Sequence, residues 1–378
     1  MKKTLFCVAL AALTLASCSK KEEKTLSGLL KSQFQKEVQG KKTDLYVLKN
    51  KNGMEVCITN FGGKVVSIMA PDKNGKMADV VLCEDNMDNM LKSTQPYFGA
   101  TIGRYGNRIA NAKFKIDSTE YTLAANNNGQ ALHGGPKGFH AVMWDAKQIG
   151  DSAVELSYLA KDGEEGYPGN LQCKVVYTLT SNNELKINYE ATTDKATVVN
   201  LTHHSFFNLA GEGASTINDH VLTINADKFN PVDSVLIPTG ELADVTGTPF
   251  DFRKPMVIGQ RIDTINNKQM KLGKGYDHNW IINQKKQGEM TFAAKIVEPK
   301  SGRVMEVYTT EPGIQFYGGN FLNNDMGKFG HKYPFRSAFC LETQHFPDSP
   351  NKPQFPTTVL RPGQKYAHTC IYKFSVEK

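Results

Sequence analysis

Leu45-Tyr46-Val47-Leu48 is followed by Asn52-Gly53 and then by Met54-Glu55-Val56-Cys57-Ile58-Thr59. Two runs rich in β-branched and aromatic residues around an Asn-Gly pair are a strong hairpin signal. The same texture continues outward. Lys64 to Met69 leads into Pro71-Asp72-Lys73-Asn74-Gly75, and Val154 to Tyr158, Leu171 to Thr180, Glu184 to Glu190 and Val198 to Thr202 are further strand-like runs. Pro168-Gly169 and Asn182-Asn183 supply breaks between them. The best helix candidate, Asp85 to Lys92, is short. No G-x-G-x-x-G or G-x-x-x-x-G-K motif follows a strand, which argues against a nucleotide-binding α/β fold, and no fixed repeat suggests a propeller or solenoid. The pattern predicts an all-β chain forming one large antiparallel β-sandwich over residues 43–378.

The start of the chain reads differently. Met1-Lys2-Lys3 is positive, and Leu5 to Ala16 is apolar except for Thr14. A spanning helix needs about 20 apolar residues, so this run fits the core of a secretory signal instead. Leu15-Ala16-Ser17-Cys18 resembles the bacterial lipobox, in which cleavage precedes the cysteine and its sulfur is acylated. Residues 1–17 are thus expected to be a lipoprotein signal peptide, with residues 18–42 as the lipid-attachment cysteine and a polar tether. This predicts a membrane-anchored lipoprotein of the bacterial cell envelope, periplasmic or surface-facing.

Composition sets further limits. Lys and Arg exceed Asp and Glu by 45 − 38 = 7, but the cations are dispersed among acids, so a solvated surface is expected and no nucleic-acid face. With Cys7 in the signal and Cys18 assigned to lipid, Cys57, Cys83, Cys173, Cys340 and Cys370 remain, an odd number at wide spacings. That implies no disulfide framework, and without C-x-x-C or Cys/His spacing no structural metal is expected. Buried thiols acting as small hydrophobes are the simpler account.

Chemistry is sought where polar residues interrupt apolar strands. Within Asn200-Leu201-Thr202-His203-His204-Ser205-Phe206-Phe207-Asn208, an extended backbone points His203 and His204 to opposite faces, so only one easily enters a given pocket. Such a histidine can donate a proton near neutral pH. In Phe339-Cys340-Leu341-Glu342-Thr343-Gln344, a carboxylate closes an apolar strand before a Pro-rich loop, and Glu342 becomes a candidate general base. Arg104 and Arg108 among glycines, His133 before Gly134-Gly135, and Asp277 beside Tyr276 and Trp280 add polar groups and aromatic faces suited to a polyhydroxylated ligand.

Taken in order, several segments make a resemblance specific. They are Gly103-Arg104 with Asn107-Arg108-Ile109, Leu132-His133-Gly134-Gly135, Asp162 to Gly169, Thr202 to Leu209, Gly275 to Asn279, Gln315-Phe316-Tyr317, and Leu341 to Gln344 with Pro347-Asp348. Residues 43 to 376 are similar in this respect to the aldose 1-epimerases, also called galactose mutarotases. The resemblance implies a large β-sandwich, Glu342 as general base and His204 as general acid. It further implies sugar-hydroxyl contacts from Asn107, Arg108, His133, Asp277 and Gln315, a free aldose such as glucose or galactose as substrate, and no cofactor. Two positions depart from the family pattern: His203 stands where asparagine is common, and Phe206 where tyrosine is common. Two alternatives stand beside this reading. One is a glycoside hydrolase with Glu342 and Asp277 as paired carboxylates about 5–9.5 Å apart; the other is a non-catalytic sugar-binding sandwich.

Overall fold

Leu45–Lys49 (β1) and Glu55–Thr59 (β2) form the expected antiparallel hairpin, with Leu45 opposite Thr59 and Lys49 opposite Glu55. Gly53 takes the positive φ that the turn requires, +85°. Lys64–Pro71 (β3) continues the sheet. The chain is seen in a computed structural model that describes residues 22–264 and 266–377, so the signal segment and Cys18 lie outside the described residues. The helix candidate is confirmed as Met87–Lys92 (α1), whose Asn86 cap accepts from the Asn89 N–H at 2.9 Å.

Short strands then carry the segments singled out above. Ala100–Ile102 (β4) pairs with Thr202–His204 (β7), placing His204 opposite Ala100. Arg108–Ile109 (β5) pairs with Ala131–Leu132 (β6), placing Leu132 opposite Arg108. Asp277–Ile281 (β8), Gly313–Tyr317 (β9) and Cys340–Gln344 (β10) are consecutive strands of a five-stranded antiparallel sheet among the described residues.

The largest sheet of the described residues has nine antiparallel strands and includes Ala153–Ala160, Leu171–Leu179, Glu184–Thr193 and Tyr366–Val376. Alternation orients it: Leu185, Ile187, Tyr189 and Ala191 are buried, while the residues between them are partly exposed. One apolar cluster joins this inward row to the back of the five-stranded sheet through Trp280, Ile314, Phe316 and Leu341. The expected all-β antiparallel architecture is therefore present. Cys57, Cys83, Cys173, Cys340 and Cys370 are all free and buried, as the spacing argument predicts.

The N-terminal segment departs from expectation. The described part of the supposed tether, residues 22–42, lies against the domain. Leu29 and Phe34 are fully buried with Leu45, Cys57 and Val66 in a second apolar cluster. Glu37–Val38 and Lys41–Lys42 form a small antiparallel ladder. Polar composition conceals this docking because two apolar side chains and backbone hydrogen bonds suffice to hold the segment. One such bond runs from the Leu26 N–H to the Glu55 carboxylate at 2.6 Å.

Candidate active site

The five-stranded sheet divides its side chains by alternation. His278, Trp280, Ile314, Phe316 and Leu341 face the core, which leaves Asp277, Asn279, Gln315, Tyr317, Glu342 and Gln344 on the other face. Registry brings the polar ones together, Asn279 opposite Gln315 and Gln315 opposite Glu342. Below them an amide row braces the floor: Gln344 donates to Asn279 at 3.3 Å, and Asn279 to Asn230 at 2.7 Å.

Over this face lies a cavity of about 370 Å³ whose walls include Asn107, Arg108, His133, His204, Asp277 and Glu342. Six of the seven sequence candidates thus meet in one place. Gln315 is set one layer below, donating its Nε2–H to Asp277 Oδ1 at 2.7 Å. His204 and Glu342 are both buried, with His204 Nε2 at 3.5 Å from Glu342 Oε1. The His204 ring lies nearly parallel to Phe206 (4.8 Å, 20°) and to Tyr97 (5.9 Å, 21°). Flat aromatic neighbours fix the imidazole plane without consuming its nitrogens.

The paired histidines separate as an extended backbone requires. His203 turns away from the cavity to Ser205 Oγ at 2.6 Å and the Tyr177 hydroxyl at 3.5 Å, and burial pushes its pKa down to about 3. The two arginines separate as well. Arg104 is buried and donates to the carbonyls of Pro168, Gly169 and Ala160, so it ties loops together outside the pocket. Arg108 borders the cavity and donates to Asn127 Oδ1 at 3.2 Å. The Asp348 N–H donates to the Arg108 carbonyl and Asp348 Oδ1 accepts from Ala110, so this buried acid of the Pro-rich loop anchors β5.

Electrostatics follows from burial. Desolvation, helped by the nearby Asp277 charge and opposed by Arg108, raises Glu342 well above the usual carboxyl value of 4.5. Asp277 is raised by the same desolvation, against Arg108 and the Gln315 hydrogen bond. Desolvation lowers His204 to about 4. Burial therefore favours the uncharged form of both His204 and Glu342.

His133, His204 and Glu342 offer atoms within 4.8 Å of one another, the spacing of a metal site. The hydrogen bonding points to another use. His133 Nδ1 accepts the Asn107 N–H at 3.1 Å, which places the ring proton on Nε2 and makes that nitrogen a donor toward the cavity. A ligating Nε2 would have to move its proton to Nδ1, against the Asn107 N–H. The trio suits proton transfer and hydroxyl binding better than ion coordination.

Nine lining residues lie outside the set chosen from sequence, Tyr97, Tyr317 and Leu236 among them. Tyr97 packs edge-on to His133 at 4.8 Å as well as alongside His204. Tyr317 follows Gln315 on β9, and Leu236 reaches the rim from a loop where it holds a φ of +65°. Tyr317 is an alternating position of the Gln315-Phe316-Tyr317 run; Tyr97 and Leu236 sit in loops without a motif.

The aldose 1-epimerase family model matches residues 44–373. A galactose mutarotase from Bos taurus is 48% identical over 324 residues, covering 85% of this chain and 92% of its own. The aldose 1-epimerase of Escherichia coli K12 is 37% identical over 336 residues, covering 88% and 95%. Among solved structures, an aldose epimerase homologue from C. elegans superposes with a TM-score of 0.82 at 32% identity, covering 89% of this chain and 100% of that one.

Proposed function

This chain belongs to the aldose 1-epimerase family, and from that premise we propose that Glu342 and His204 carry its reaction, the interconversion of the α and β anomers of aldoses. Glu342 takes the proton of the anomeric hydroxyl while His204 protonates the ring oxygen, and the hemiacetal opens to the free aldehyde. Rotation about the C1–C2 bond presents the other carbonyl face. Closure with the two roles exchanged gives the opposite anomer and returns both protons, so atoms and charge balance over the cycle. Each well-placed acid or base contributes roughly 10² to 10⁴ in rate.

The observation that carries this assignment is the buried His204–Glu342 pair, 3.5 Å apart at one wall of a cavity whose other walls carry both hydrogen-bonding and apolar side chains. Neutral His204 with protonated Glu342 holds the same single proton as imidazolium with carboxylate. The reactive form therefore differs from the resting one by a proton shift within the pair, without exchange with solvent. Asn107, Arg108, His133 and Asp277 are assigned to the remaining sugar hydroxyls, with His133 Nε2–H as a donor and Asp277 as an acceptor, and Gln315 is assigned to hold the Asp277 carboxylate from the layer below.

Polarimetry of freshly dissolved α-glucose and α-galactose tests the assignment. The protein accelerates equilibration, and Glu342→Gln and His204→Asn, each folded, lose about 10² or more of that acceleration. Full activity in both folded variants would remove Glu342 and His204 from the mechanism. The hydrolase and binding-only alternatives are not favoured, because the matched relatives carry epimerase and mutarotase names.

We further infer that Cys18 bears an acyl anchor at the cell envelope, on the strength of Leu15-Ala16-Ser17-Cys18 after an apolar signal run. Mass spectrometry of the mature protein tests this: it should begin at Cys18 carrying acyl chains, and Cys18→Ala should abolish the modification.

A further inference from the structure

An acylated Cys18 would have very little chain between itself and the folded domain. Lys24 bridges Leu30 across a tight turn, and Leu29 and Phe34 are buried, so the segment from Glu22 onward is bound to the domain. Cys18 is four residues before Glu22, a reach of at most about 14 Å. An anchor there cannot hold the domain off a bilayer; it draws the 24–30 turn onto it.

That turn adjoins an apolar surface. Leu26 at its tip is 51% exposed. Gly28 lies against the Phe329 ring, which a Cβ on Gly28 would approach to 3.7 Å, and Phe329 is 52% exposed. The Phe329 N–H donates to Asp85 just ahead of α1, whose Leu91 is 47% exposed. Just beyond α1, Thr94 hydrogen-bonds Asp325 at 3.1 Å, beside Met326, which is 53% exposed. Exposed lysines flank the apolar side chains: Lys24 two residues before Leu26, Lys92 next to Leu91, and Lys332 paired with Met326 across a short ladder. Half-exposed Leu, Met and Phe interspersed with lysine match the headgroup boundary of an anionic phospholipid bilayer, which takes apolar side chains below and ammonium groups at phosphate level.

We propose that Leu26, Leu91, Met326 and Phe329 form the membrane-resting face of this protein, seated in the headgroup region of the bilayer that holds Cys18. The proposal rests on the acylation of Cys18 inferred above.

The test uses the acylated full-length mature protein in phosphatidylethanolamine–phosphatidylglycerol vesicles whose acyl chains carry bromine, a contact quencher of tryptophan. Both native tryptophans, Trp144 and Trp280, are fully buried and serve as an internal baseline. Interfacial side chains reach about 5–10 Å into the headgroup boundary, so added emission from Phe329→Trp should fall by roughly half relative to unbrominated vesicles, and Met326→Trp likewise. Leu159→Trp, on an exposed position of strand Ala153–Ala160 in the nine-stranded sheet, should not be quenched. Unquenched Phe329→Trp and Met326→Trp on acylated, vesicle-floating protein would overturn the face while leaving the anchor intact. Phe329→Trp emission shielded without vesicles and released on dilution would place a second copy on the surface, and overturn it too. Protein that is neither acylated nor floating would overturn both inferences.

Discussion

The side-chain amide of Asn200 holds His345 by both backbone groups, accepting its N–H at 3.0 Å and approaching its carbonyl at 3.4 Å through Nδ2, which also donates to Gly106 at 3.1 Å. One buried amide thus ties together the three segments that carry Arg108, His204 and Glu342. β7 and β10 are not ladder partners. They are held by the Phe207–Phe339 bridge at one end, by Asn200 at the other, and between them by Thr202 Oγ1 donating to the Thr343 carbonyl at 2.8 Å. The separation of His204 and Glu342 is set by this clamp.

Asn200→Ala leaves the partly buried His345 N–H without its partner, at a cost of up to about 3 kcal/mol. It also loosens the spacing of the pair, and a displacement near 1 Å in such a site costs about 10² in rate. The expected result is a lowered melting temperature in calorimetry with kcat reduced far more than KM is raised. A destabilised variant with wild-type kcat would make the clamp structural only.

The pH dependence of kcat/KM should have its acid limb at about 4, the value to which burial lowers His204, instead of near the ordinary 6.5. Below that limb the pair holds two protons and no base remains. Activity persists upward until the last proton leaves, above the usual 4.5 for glutamate because Glu342 is raised. A mutarotation profile over a broad buffer series checks both limbs, and an acid limb near 6.5 would contradict the burial argument.

Asp277→Asn should raise KM through loss of a hydroxyl acceptor, and it should move the alkaline limb as well. The Asp277 charge is one cause of the elevated Glu342 pKa, so its neutralisation lets Glu342 release its proton at lower pH. The limb shifts downward, an effect that lost sugar contacts alone would not produce.

Gly134→Ala should damage the His133 corner. Gly134 has φ +83°, and a Cβ there would stand 1.9 Å from the Gly103 carbonyl oxygen. The left-handed conformation alone costs roughly 1–2 kcal/mol for a residue with a Cβ, and the overlap adds to it. Lower thermal stability with raised KM for hexoses is expected; an unchanged variant would show that this backbone moves freely.

Local sequence carried much of the fold. Asn52-Gly53 and alternation along Glu184 to Glu190 are short-range signals that tertiary packing reinforced. The site was legible wherever a polar residue broke an apolar strand, as Glu342 and Asp277 do. It was less legible where only contacts across the chain decide a role. Nothing in Gly103-Arg104-Tyr105-Gly106-Asn107-Arg108 says that Arg104 meets the carbonyls of Pro168 and Gly169 while Arg108 faces the pocket. Tyr97 is recruited through ring packing on His133 and His204, residues remote in sequence. The composition of residues 22–42, dominated by lysines and glutamates, suggests a tether, whereas Leu29 and Phe34 determine where the segment goes.

The five sequestered thiols bear on how the protein ages. Burial pushes Cys57, Cys173 and Cys370 up to about 12, so at pH 7 about one in 10⁵ is the reactive thiolate. Once the protein is folded, these five thiols are nearly inert to peroxide, to alkylating agents and to disulfide exchange, and none of them is crosslinked. The window of oxidative damage to these thiols is confined to synthesis, folding and transient opening. The speed of folding then governs how many of these thiols stay reduced in an oxidising surrounding.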